Sequence, residues 1–116
     1  MLEGFFRITF TGMAGSGFGL LTLQNGIVVG ADVSGTTYEG SYTTDPITRV
    51  IEFQIIMNLP AGVTPVQNGI PLVAPISVPI SGSLSENELG KDEPTLLRSP
   101  LGPVNVLFTK IRDLPH

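Results

Sequence analysis

Apolar and polar positions alternate from Leu2 to Thr11. Phe6, Ile8 and Phe10 fall on one face, and Phe5, Arg7, Thr9 and Thr11 on the other. A period of two predicts a β-strand, whose successive side chains point to opposite faces. Gly12 to Gly17 reads as a Gly- and Ser-rich loop. Phe18 to Gln24 is a second strand, with Leu21 and Leu23 sharing a face with Gly19. Asn25-Gly26 is a strong hairpin signal, since a type I′ turn needs positive φ at both central residues. It leads into a third strand, Ile27 to Val33, apolar on both faces except at Asp32. Ser34-Gly35 marks the next reversal. A fourth strand, Thr36 to Thr43, sets Tyr38 and Tyr42 on one side. After an Asp45-Pro46 turn, Thr48 to Met57 forms a fifth strand with Ile51, Phe53, Ile55 and Met57 on its apolar face.

The chain then changes character, because eight of its ten prolines lie between Pro60 and Pro103. Leu59 to Ile70 reads as a loop. Pro71, Pro75 and Pro79 interrupt an apolar stretch that is either an edge strand or an extended strap, since proline cannot donate to a sheet ladder. Ile80 to Leu84 is a candidate continuation as strand. Ser85 to Pro94 is a polar, acidic surface loop with room for a helical turn. Thr95 to Arg98 is a short strand at best, and Val104 to Arg112 is a final strand. Residues 1–116 therefore form a single all-β domain of seven or eight short antiparallel strands. Strands of this length, punctuated by Gly, close into a barrel or pack as a sandwich, and a small barrel is the favoured reading.

Composition narrows the function. Six basic against ten acidic residues give a net charge of −4, too little clustered Lys and Arg to neutralise phosphates, so direct nucleic-acid binding is not expected. The lack of Cys excludes a disulfide framework or thiolate metal site and fits a reducing, cytoplasmic setting. Glu3 and Arg7 interrupt the apolar N-terminus, so a cleaved signal peptide is not expected. No apolar run reaches the ~18 residues of a membrane span. Only 14% of residues are charged and the mean hydropathy is +0.31. Such a small domain exposes apolar surface unless something covers it, most often a second copy of the chain.

Candidate chemistry is sparse. Gly15, Gly17 and Gly19 suggest a phosphate loop, but a strand follows them and no Gly-Lys-Ser/Thr is present, so they read as turn and strand glycines. Asp32 interrupts an apolar strand. It is either a general base or ligand contact, or a carboxylate hydrogen-bonded near the Ser34-Gly35 turn, and the second reading is the stronger one. His116 is the sole His and the last residue, poorly placed for a triad that needs its His held by packing. Glu86, Glu88, Asp92 and Glu93 crowd one loop without the spacing of a calcium loop, which leaves a solvated surface. No catalytic set, metal site or cofactor is expected. Among the aromatic and aliphatic strand residues, Phe6, Phe10, Leu21, Leu23, Tyr38, Tyr42 and Phe53 are the candidates for a ligand cavity or an interface. A filled core is the blander account of the same residues.

Residues 4 to 57 resemble the GrlR-type family, negative regulators of type III secretion gene expression. The likeness runs through a strand ending near Phe10, then G-F-G-L-L-T-L-Q-N-G, V-G-A-D and Y-E-G-S-Y. Beyond Leu59 only Val104 to Arg112 is comparable. The resemblance implies a lipocalin-like barrel, a homodimer, and regulation by binding a protein, typically a transcriptional activator. Two departures stand out. The family's acidic partner-contact run after the fourth strand is reduced here to Asp45, and Ala31 replaces the second Gly of Gly-Gly-Asp. The expected function is thus non-enzymatic regulation by protein contact. A carrier or sensor of a small apolar ligand in the barrel interior is the alternative.

Overall fold

A computed structural model describes residues 3–88 and 94–113. Its strands are β1 (Gly4–Gly12), β2 (Gly15–Gln24), β3 (Ile27–Asp32), β4 (Thr37–Thr44), β5 (Val50–Leu59), β6 (Ile76–Ser85), β7 (Thr95–Leu97) and β8 (Val104–Arg112), with one 3-10 turn at Glu86–Glu88. All eight belong to one antiparallel sheet in the order β6-β5-β4-β3-β2-β1-β8-β7. The sheet curls until its two ends meet at a single bridge, where Ser81 and Arg98 exchange backbone hydrogen bonds of 3.1 and 3.0 Å. The result is a nearly closed barrel, as the strand pattern predicts. Continuing that register in one direction would set Pro79 against Pro100, and neither has an N–H to give, so the seam cannot extend that way.

Each predicted apolar face points inward. Phe6, Ile8, Leu21, Leu23, Tyr38, Tyr42, Ile51, Phe53, Ile55 and Met57 are all buried. β6 joins them through Val78, Ile80 and Leu84, and β8 through Val104, Val106 and Phe108. The edge-strand reading of the proline-rich segment holds from Ile76 onward, with Pro79 paired to Ile56 on one side only. Asn25 and Gly26 both take positive φ, 53° and 78°, as a type I′ turn requires.

Several boundaries differ from the sequence reading by one or two residues, among them the end of the fifth strand, which runs to Leu59 rather than Met57. Two of the differences have a plain physical cause. Gly12 to Gly17 is no open loop: Gly12 pairs with Gly15, and β1 and β2 meet in a two-residue turn at Met13 and Ala14. Short alternating Gly and Ser are as compatible with a hairpin as with a loop, and cross-strand pairing decides. The fifth strand begins at Val50, not Thr48. The Asp45 carboxylate accepts the N–H groups of Ile47 (2.8 Å) and Thr48 (3.1 Å), and Arg49 turns to φ 62°, which holds these residues in the turn. Arg49 Nε then donates to Glu86 at 2.8 Å, tying this turn to the end of β6. Of the acidic loop, Asp92 and Glu93 lie outside the described residues, as does His116.

Candidate functional site: a lidded cavity at one end of the barrel

The two ends of the barrel differ. At the end carrying the β2–β3 and β4–β5 turns, Phe6, Leu23, Val28, Ile51 and Phe53 fill the interior and are at most 1% exposed. Phe53 stacks on Phe108 with ring centroids 5.7 Å apart and planes 7° from parallel, and Tyr42 tilts against Phe53 at 6.4 Å.

The opposite end holds a partly open cavity of about 190 Å³. Its floor and walls are strand residues, among them Ile8, Leu21, Ile55, Ile80, Val106 and Phe108. Its roof is the β5–β6 connection, which folds back across the barrel mouth and contributes Val63 to Gln67. Backbone hydrogen bonds shape this lid: Gly62 N–H to Leu72 O at 2.8 Å, and Leu72 N–H to Val63 O at 2.9 Å. It is latched to the β1–β2 turn where Ala14 N–H donates to Val66 O at 2.7 Å. Gly12 permits that approach, because a Cβ there would fall 2.7 Å from the Val66 carbonyl carbon.

Asp32 stands at the mouth as the one charged residue, among the described residues, lining the cavity. Its Oδ1 accepts Ser34 N–H (2.9 Å), Ser34 O–H (2.5 Å) and Thr36 N–H (3.3 Å). Its Oδ2 accepts the Tyr38 hydroxyl at 2.5 Å. These bonds explain the acid in an apolar strand: it organises the β3–β4 turn and anchors a buried tyrosine. Burial first, then the hydrogen bond to Asp32 and the charge on it, drives the Tyr38 hydroxyl far above its ordinary pKa. Among the described residues, neither Asp32 nor Tyr38 has a His or Lys partner on the cavity wall. Among the described residues no three His, Asp or Glu gather as metal ligands.

The candidates singled out in the sequence divide between the two ends. Phe10, Leu21, Tyr38 and Asp32 line the cavity, whereas Phe6, Leu23, Tyr42 and Phe53 belong to the filled end or its rim. The lid residues Val63, Val66 and Gln67 were not singled out. Isolated valines in a proline-rich loop are their only trace in the sequence, and hydropathy does not say which loop residues fold inward.

Outside the barrel, Phe18, Leu20, Ile27 and Val29 are 44 to 57% exposed. They lie on the outward face of β2 and β3, where Leu20 pairs with Ala31, and Val29 with Thr22. Arg7 borders this patch across from Leu20, and Glu39 across from Val29. No protein-family model matches the chain, and neither does any curated protein. Among the described residues no helix is long and apolar enough to cross a membrane.

Proposed function

We propose that this chain is a non-enzymatic regulator that works by protein contact as a homodimer, in the manner of the GrlR-type proteins that residues 4 to 57 resemble. The observation that carries this reading is the outward face of β2 and β3. Four large apolar side chains sit there half exposed, with polar and charged neighbours at the edge. A dry apolar centre with a polar rim is the usual anatomy of a specific interface, and a second copy of the same face is the occupant we assign to it. The contact with a partner protein does not use an acidic run after β4. The single acid there, Asp45, is occupied in capping its own turn. Sedimentation equilibrium tests the dimer. The native chain is expected at twice its 12.3 kDa monomer mass, and Val29→Asp, on the outer surface, is expected at the monomer mass with unchanged circular dichroism. A native chain that stays monomeric at micromolar concentration overturns the reading.

The cavity favours a second reading, a carrier or sensor of a small apolar molecule. Its volume of about 190 Å³ exceeds the ~150 Å³ of an engineered apolar cavity that binds benzene, and falls below the ~300 Å³ at which drug-sized pockets begin. The two readings are compatible, since one uses the outside of the barrel and the other its interior.

A further inference from the structure

We infer that the cavity selects an uncharged molecule about the size of a substituted benzene, carrying one hydrogen-bonding group that Gln67 receives. The inference rests on the second reading above, that the interior is a binding site, and adds the chemistry of its occupant. Gln67 comes from the lid, lines the cavity and is only 7% exposed. Its carboxamide makes no hydrogen bond to any described residue. Yet no buried side-chain nitrogen or oxygen is left both sealed and unpartnered, so this amide reaches space that a water molecule can enter. Gln67 lines the cavity, and we assign that space to the cavity. A ligand hydroxyl, carbonyl or amide there would exchange a water contact for a direct hydrogen bond, a net gain of about 1 kcal/mol. Of the other polar groups at the mouth, Ser16 and Thr64 lie exposed to solvent at the opening. Asp32 already accepts four hydrogen bonds, and the Tyr38 hydroxyl proton is given to it.

The charge of the occupant follows from the same wall. Among the described residues, Asp32 is its only ionisable acid or base apart from Tyr38, and no Lys, Arg or His lines the cavity. An anionic ligand would enter an apolar space beside a carboxylate with no cation to offset either charge, which is strongly unfavourable. A cation finds the Asp32 oxygens already bonded. A neutral molecule meets neither penalty.

Calorimetric titration of the full chain with benzyl alcohol, toluene and benzoate tests this, with Gln67→Leu as the near-isosteric variant. Benzyl alcohol and toluene are expected to bind and benzoate not to bind. In Gln67→Leu, binding of benzyl alcohol relative to toluene is expected to fall about tenfold, the value of one hydrogen bond. Should none of the three bind, the interior is not a binding site and the second reading falls with it. Should toluene and benzyl alcohol keep their ratio in Gln67→Leu, the interior binds but Gln67 does not select. Benzoate binding as tightly as benzyl alcohol overturns the neutral-ligand assignment. The side-chain NH₂ resonances of Gln67 in the native chain give a readout free of any folding effect of the variant: both aromatics shift them through the ring current, and their exchange with solvent must slow with benzyl alcohol and not with toluene. Equal slowing with both overturns the role of Gln67.

Discussion

The filled and hollow ends of this barrel are built from the same strands, and they differ in what crosses the interior. β5 places Ile51 and Phe53 at one end, and Met57 and Leu59 at the other, all on one face and all buried. At the first end an aromatic from β5 meets one from β8 in a stacked pair. At the second, Met57 and Leu59 face small and branched side chains from β7 and β8, Leu97, Val104 and Val106, which do not reach across. The proline-rich lid covers the gap without filling it. Burial therefore does not distinguish core from cavity lining. The volume of the residue opposite does.

Phe53→Ala and Met57→Ala should separate the two ends most widely. Chemical denaturation is expected to show a loss of about 3–5 kcal/mol for Phe53→Ala, and about 2 kcal/mol for Met57→Ala, whose neighbours already border a void and have fewer contacts to lose. Equal losses would mean that the hollow end closes up in solution. Tyr38→Phe comes next. It deprives Asp32 of a charge-assisted bond and is expected to cost about 1.5 kcal/mol, the low end for such bonds because Asp32 is only half-buried. The pH dependence has a definite sign. The folded state holds the Tyr38 proton above its ordinary value of 10.0, so this stabilisation is complete below that pH and is lost as the pH climbs toward the higher folded value. Stability of the native chain should fall more steeply above pH ~10 than that of Tyr38→Phe.

Gly12→Ala tests the lid alone. The added methyl meets the Val66 carbonyl, and a loss of about 1 kcal/mol is expected, the low end for overpacking. Hydrogen exchange at the Ala14 amide, which Val66 holds, should accelerate while the amides of β5 keep their protection. The smallest effect belongs to the exposed turn at the filled end. The N–H groups of Thr48 and Ile47 hold the Asp45 carboxyl below the usual range, so its contribution is present at neutral pH and disappears as the pH falls through that lowered value. Asp45→Asn should flatten the acid limb of the stability profile slightly and leave the alkaline limb unchanged.

Much of the fold is written in short-range patterns. Period-two alternation marks the faces of β1, β4 and β5, Asn25-Gly26 marks a hairpin, and proline marks β6 as an edge. Where β5 begins was less legible, because the Asp45 cap that delays it is a contact between a side chain and backbone two and three residues on. Asp32 is legible as an anomaly, and its partners Ser34, Thr36 and Tyr38 all lie within six residues of it. The cavity is not legible, because it depends on which residues face one another across the barrel. Gln67 is the clearest case. One Gln in a polar, proline-rich loop carries no signal until the chain folds that loop over the mouth.

The seam at Ser81 and Arg98 bears on how the molecule behaves in a crowd. Ser81 spends both its backbone groups on Arg98, so residues of the same parity in β6, Pro79 among them, turn their backbone toward the unpaired margin. A proline there removes a donor from that margin while leaving the ladder with β5 intact. Sheet margins with free donors recruit other chains and seed fibres. This one offers an incoming strand a gap in its hydrogen-bond template, so an apolar, lightly charged barrel gains protection against edge-to-edge association along β6.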